Sequence, residues 1–344
     1  MSLCAVCIFN FSNFAQYLKK MSALSVIQQQ ISDELRLLNK DIEATLLSSN
    51  PLMNEVIKNY LRTKGKQIRP ILVILSAKLF GKVTDRVISA ATSVELLHNA
   101  SLIHDDVVDE TKIRRNNPTI NGIWDNHIAV LVGDFFVSSS LQKALEAEDI
   151  RIVEAVAKLG KLLSIGEIDQ IYTAQNHLLS EDAYFQIIYR KTASLFVACV
   201  EMGAYAVGAD EEQIGIIREF ARLLGLCFQI KDDVFDYFED KNIGKPTGND
   251  LREGKITLPL LHVLSDATLP GHDEMLEISR KEELSADDIR RLIDYAKDNG
   301  GIDYAYEVMS RLRDDAVECL DKLPKGDSAD AFRSLIDFVI TRNA

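Results

Sequence analysis

The chain has 344 residues, 47% of them apolar, enough to bury a large core without disulfides or structural metal. Its formal charge of −13 excludes a surface built to grip nucleic-acid phosphates, which needs excess Lys and Arg. The five cysteines (Cys4, Cys7, Cys199, Cys227 and Cys319) are odd in number, and three lie in apolar helical text, so a reducing compartment, the cytoplasm, is expected. Cys4-Ala-Val-Cys7 is a lone CxxC without the second pair that a zinc site needs.

Residues 1–20 read as an N-terminal extension ahead of one domain over 21–344. Their apolar run lacks the basic start and small-residue cleavage site of a signal peptide. No uninterrupted apolar run is long enough to span a bilayer. From Ser25 onward apolar residues recur at three and four, as in Ile27, Ile31, Leu35, Leu38 and Ile42, while strand-like alternation is nearly absent. Prolines and glycines at Pro51, Gly65, Pro70, Gly81, Pro118, Gly208, Pro246 and Pro270 punctuate this text. Helices are expected near residues 25–48, 84–108, 126–146, 150–175, 181–207 and 211–239, giving an all-α chain of about a dozen helices. Glu239 to Gly254, charged and glycine-containing, reads as a flexible lid.

Two acidic clusters carry the chemistry. Asp105-Asp106-Val107-Val108-Asp109 ends one apolar helix, and Asp232-Asp233-Val234-Phe235-Asp236 ends another with the same spacing. On a helix such a triad spans about 100° of arc and about 6 Å of rise, which makes one acidic face. Carboxylates crowded at the negative end of a helix dipole are costly without cations. Oxygen ligands select magnesium, which is bound by a few carboxylates together with phosphate oxygens. A single such triad reads equally well as a solvated helix end. Two of them, each behind apolar text, point to one shared cavity inside a single helical domain.

Basic residues gather beside these clusters. Lys66 and Arg69 flank a glycine-flexible turn with Pro70 placed to open a helix. Arg114 and Arg115 follow Asp109 closely enough to bracket a diphosphate with bidentate bonds. Lys191, Thr192, Lys245 and Lys255 add donors downstream. His98 lies two helical turns before Asp105; spacing alone leaves it open between a satisfied core histidine and a ligand. The sequence contains no GxGxxG, no P-loop and no assembled nucleophile–base set.

These motifs resemble the trans-polyprenyl diphosphate synthases. Leu97 to Asp109 is similar to that family's first aspartate-rich motif, Phe228 to Asp236 to its second, and Gly244-Lys245-Pro246, Asp250 and Gly254 to Pro259 to the loop that follows. The resemblance implies an isoprenoid-synthase-type helical bundle around a central cavity, a homodimer, and about three magnesium ions between the aspartate clusters and an allylic diphosphate. It implies Asp105, Asp109 and Asp232 as metal ligands, with Asp106, Asp233 and Asp236 as ligands or supports. Arg114, Lys191, Gln229 and Lys255 would hold the allylic diphosphate (farnesyl or geranyl), supported by Thr192 and Lys245. Lys66, Arg69, His98 and Arg115 would hold isopentenyl diphosphate. The family usually shows Gly after the arginine pair, where this chain has Asn116-Asn117-Pro118; asparagine tolerates the left-handed turn.

The resemblance also assigns product length to the fourth and fifth positions before the first aspartate, here Ser101 and Ala100. Small residues there imply an open tunnel and a long product in the octaprenyl range, of the kind used for quinone side chains. An ideal helix places Ser101 about 40° from Asp105 and Ala100 about 140° away, so geometry supports only the first. Alternatives are a shorter farnesyl or geranylgeranyl product, a terpene cyclase, or a non-catalytic subunit. The Lys66/Arg69 pair argues against the cyclase and the two intact triads against the subunit.

Overall fold

The computed structural model describes residues 23–62, 65–114, 117–238 and 247–342. The expected extension over 1–20, Cys4, Cys7, Arg115 and Lys245 lie outside them. In chain order the helices are α1 (Ala23–Gln30), α2 (Ser32–Thr45), α3 (Pro51–Tyr60), α4 (Ile68–Phe80) and α5 (Asp85–Val108). A two-stranded antiparallel hairpin follows, β1 (Ile113–Arg114) and β2 (Asn117–Pro118), pairing Ile113 with Pro118. Next come α6 (Ile120–Ile123), α7 (Asn126–Glu146), α8 (Ile150–Gln175) and α9 (Glu181–Ile188). A π-helical turn, Tyr189–Ala193, leads into α10 (Ser194–Ala206) and α11 (Glu211–Phe235). The chain then forms α12 (Asn249–Arg252), α13 (Leu258–Leu264), α14 (His272–Ser279), α15 (Ala286–Asp298), α16 (Gly301–Asp321) and α17 (Asp327–Thr341).

The segments that are apolar all round become the innermost helices. Ile71 to Ile74 of α4 are wholly inaccessible, and α10 is buried from Ser194 to Ala204. α5 is buried from Val87 to Val94 and again at Leu96, Leu97 and His98. α4 packs on α5 and α10, α5 lies along α7, and α11 packs on α10 and α16. Close approach requires a glycine at Gly166 of α8, where an added Cβ would stand 2.8 Å from both Arg190 Cβ and Lys191 Cγ. A second apolar cluster, including Leu260, Val263, Ile289, Leu292 and Ile293, holds α13 to α15 together.

Local signals set the helix starts. Asn50 caps α3 through Met53 N–H at 3.1 Å with Pro51 in the first turn. Asp125, Ser180 and Asp210 cap α7, α9 and α11 in the same manner. Ser285 and Asp288 form a reciprocal capping box on α15.

The sequence-based boundaries at 84–108, 126–146 and 150–175 match the structure closely. Three depart from it. The helix expected over 25–48 bends at Ile31, where φ is −119° and ψ is 28°, and stops at Thr45. The helix expected over 181–207 is interrupted by the π-turn. The one over 211–239 ends at Phe235 with Asp236 as its C-cap. Among the described residues α7 alone is long and apolar enough to cross a membrane, and 44% of its most apolar stretch is buried inside the fold.

Candidate active site

Both aspartate clusters sit at helix C-termini, where unpaired carbonyls make the backbone itself negative. Asp105 and Asp106 end α5 with Asp109 as C-cap; Asp232 and Asp233 end α11 with Asp236 as C-cap. A cavity of about 1140 Å³ opens between them. Its walls carry Asp106, Asp232, Asp233 and Asp236 together with Lys66, Arg69, His98, Arg114 and Gln229. A smaller cavity of about 210 Å³ meets it at Gln229, Asp233 and Asp250 and is lined by Lys191, Thr192 and Lys255. Residues scattered over nearly two hundred positions of sequence are thus brought to two adjoining cavities, although Asp105 and Asp109 line neither.

The first cluster is strongly perturbed. Burial, then the neighbouring Glu167, then Asp109 push the Asp105 carboxyl up to about 6, against the pull of Lys191 and Arg114. Burial also raises Asp109, opposed chiefly by Lys255. Asp106 turns aside: its Oδ1 accepts Arg114 Nε–H at 2.7 Å, and its carbonyl accepts Asn121 Nδ2–H at 2.9 Å.

In the second cluster each aspartate has a different partner. Asp232 pairs with Arg342 at 2.5 Å; burial raises its carboxyl, while Arg342, Lys66 and Arg69 draw it down. Asp233 is buried and accepts Tyr184 O–H at 2.6 Å and Gln229 Nε2–H at 2.7 Å. Thr192 completes that chain by donating to Gln229 Oε1 at 2.6 Å. Burial, then the nearby Asp250, push the Asp233 carboxyl upward. Asp236 accepts backbone N–H groups of Asn249 and Asp250, each at 3.0 Å.

The remaining candidate residues are presented by distinct devices. Gln67 precedes α4 in the left-handed region (φ 52°, ψ 36°), separating Lys66 from Arg69, and both act electrostatically on Asp232. His98 is buried on the cavity wall. Lys191 and Thr192 ride on the π-turn, a distortion that recurs at functional sites. Lys191 pairs with Glu167 at 2.5 Å and donates to Gln170 Oε1 at 3.0 Å. Lys255 pairs with Glu253.

Several residues here escaped the sequence reading. Glu167 and Tyr184 look like ordinary helix residues, and Arg342 follows α17 without any motif around it. Asp250 stood inside the recognised loop text and went unassigned, although it lines both cavities. Ala100 is wholly buried, and Ser101, half-buried, donates to the His98 carbonyl at 2.9 Å. Neither lines the two cavities described.

The donor chemistry fits a hard divalent cation: oxygen ligands alone, with carboxyl groups held high by burial and by one another. Among the described residues no three His, Cys, Asp or Glu side chains converge on one point. One or two protein carboxylates completed by substrate phosphate oxygens would suffice for such a cation.

The model of the polyprenyl synthetase family matches residues 50–296. The chain belongs to that family. It is accordingly a prenyltransferase, and the helical bundle is the isoprenoid-synthase fold. The octaprenyl diphosphate synthase of Haemophilus influenzae is 33% identical, covering 95% of this chain and all of the relative. A polyprenyl synthase from Caulobacter crescentus, solved with calcium and isoprenyl diphosphate, superposes with a TM-score of 0.86 at 31% identity, covering 94% and 99% of the two chains. A geranylgeranyl pyrophosphate synthase from Bacteroides thetaiotaomicron superposes with a TM-score of 0.79 at 39% identity, covering 93% and 99%.

Proposed function

We propose that this prenyltransferase condenses isopentenyl diphosphate head-to-tail onto an allylic diphosphate, repeating the step to an all-trans product in the octaprenyl range. The observation that carries this reading is the arrangement of cations around the paired clusters. Lys191 and Lys255 act on Asp105 and Asp109, whereas Lys66 and Arg69 act on Asp232 from a wall that also carries His98. Two separate basic groups suit two diphosphates.

Asp105, Asp109 and Asp232 would hold magnesium, which when bound supplies positive charge to a departing diphosphate. Arg114, Lys191, Gln229 and Lys255 hold the allylic diphosphate with Thr192 orienting Gln229. Lys66, Arg69 and His98 hold isopentenyl diphosphate; Arg115 and Lys245 join these sets by resemblance alone. The cationic side chains are preorganised against the clusters, so charge developing on the leaving group meets fixed donors in a partly dry cavity. No side-chain nucleophile is required, and the released diphosphate takes the proton whose loss from the carbon beside the new tertiary cation forms the double bond.

A homodimer accords with the exposed apolar residues of α7, where Val130, Leu131, Leu141 and Leu145 are 39–63% accessible. A cytoplasmic setting accords with Cys199 and Cys227, free thiols buried in the core. A shorter geranylgeranyl product is the second reading, favoured by the 39% identity to the Bacteroides structure. Incubation with labelled isopentenyl diphosphate, farnesyl diphosphate and Mg²⁺, followed by sizing of the dephosphorylated products, tests both. A ladder ending near octaprenol supports the first reading and an end at geranylgeraniol the second; no elongation removes both.

A further inference from the structure

The third aspartate of the second cluster is engaged with backbone. Asp236 Oδ1 accepts Asn249 N–H and Oδ2 accepts Asp250 N–H, each at 3.0 Å, while the Asp236 carbonyl accepts Gly248 N–H at 2.9 Å. Three bonds from one residue therefore fasten three consecutive residues of the returning loop. The loop is seated from its other side as well. Gly248 has φ +74°, and a Cβ there would stand 2.4 Å from Ile289 Cγ2 on α15. Between these fixings lies Asp250, a half-buried carboxylate on the lining of both cavities, close enough to Asp232, Asp233 and Asp236 to feel their charge.

Asp236 has one backbone donor on each oxygen, which fixes the plane of its carboxylate relative to the loop. Its neighbours differ: Asp232 faces Arg342, whereas among the described residues no side chain hydrogen-bonds or ion-pairs with the Asp250 carboxylate, which lines the cavity. Two aspartates thus stand at the cavity junction, Asp233 from the triad, which Tyr184 and Gln229 engage, and Asp250 from outside it.

We propose that Asp236 is a positioning residue acting through Asp250: it fixes residues 248–250 so that the Asp250 carboxylate stands at the junction of the two cavities, where a diphosphate-bound divalent cation is held. This rests on the function proposed above. Two bonds to adjacent N–H groups require two acceptors, so Asp236→Asn, whose amide nitrogen cannot accept, loosens the loop by one of them. Gly248→Ala disturbs the same seat without touching any carboxylate.

The test is Mn²⁺ affinity in the presence of inorganic pyrophosphate, read by electron paramagnetic resonance on the full chain, with circular dichroism melting recorded beside it. Asp236→Asn and Gly248→Ala are each expected to weaken Mn²⁺ binding about tenfold, as orienting partners of metal ligands do. The double variant Asp236→Asn/Asp250→Asn is expected to bind no more weakly than Asp250→Asn alone, because the first residue works only through the second. Losses that multiply in the double variant would show an independent ligand and overturn the proposal, as would unchanged affinity in both single variants. Should Asp236→Asn melt below the assay temperature, Gly248→Ala with Asp250→Asn runs the same cycle. Wild-type protein that condenses the labelled substrates yet fails this pattern removes the positioning role alone, whereas wild type that neither condenses nor binds Mn²⁺ removes the proposed function with it.

Discussion

The two aspartate clusters are spelled alike and built differently. In the first, Asp105 and Asp109 stay in a field of opposing charges, Glu167 on one side and Lys191 with Lys255 on the other, while Asp106 turns aside to Arg114. In the second, only Asp232 remains in a comparable position, paired to Arg342; Asp233 is locked by Tyr184 and Gln229, and Asp236 by the loop. A repeated motif fixes where carboxylates leave a helix. Their neighbours decide which of them face a ligand.

That asymmetry can be broken most sharply at the first aspartate of each cluster. Asp105→Ala and Asp232→Ala should each lower kcat/KM roughly 10³-fold, with the helical circular dichroism spectrum retained; turnover near wild type in either variant would remove it from the metal-holding set. Lys191→Met, which keeps the aliphatic stem and deletes the charge, should cost roughly 10²-fold in kcat/KM with the allylic substrate. A loss confined to KM for isopentenyl diphosphate would place Lys191 on the wrong diphosphate.

The locked member of the second cluster should respond in stability. Tyr184→Phe leaves the buried Asp233 short of one donor and is expected to cost about 1–3 kcal/mol in urea unfolding. An unchanged midpoint would mean the pair is not made in solution. Ser101→Phe probes product length at a half-buried site. Ala100→Phe adds a ring where nothing is accessible and should cost about 1–3 kcal/mol by overpacking. A shorter product from Ser101→Phe at wild-type stability would tie length to this face of α5, and an unaltered ladder would detach it.

The smallest effect lies far from both clusters. The Asp288 carboxyl in the α15 capping box is held down to about 2 by the Lys281 ammonium first and then by Ser285. Its folded pKa lies below the unfolded value near 3.9, so its stabilisation is present above that value and is lost as pH falls toward about 2. The melting difference between wild type and Asp288→Asn should therefore be full at neutral pH and close between about 4 and 2; a gap that widens on acidification would contradict it.

What was legible followed from periodicity and charge crowding. Continuous three-and-four spacing gave α5, α7 and α8 nearly to the residue, because each is bounded by a cap or a turn residue. The paired triads located the cavity because carboxylates behind apolar text must meet something positive. Arg342 and Glu167 were not legible, since each reaches the site only through packing between segments distant in sequence. Tyr184 looked like one more apolar helix residue, its hydroxyl pairing apparent only once α9 lies against α11. Asp236 was left open between ligand and support for a different reason: a carboxylate at a C-cap can serve returning backbone as readily as a ligand.

The π-turn at Tyr189–Ala193 makes the site sensitive to the counting of residues. Such a turn is in effect an α-helix carrying one surplus residue. Removing a single residue from it would let α9 run smoothly into α10, with better local hydrogen bonding and about 100° of rotation between the two. Lys191 and Thr192 would then swing away from Glu167 and Gln229. A deletion that makes the helix more regular is thus expected to abolish its purpose, and the irregularity is a phase shift setting the cationic side chains in register with the acidic ones.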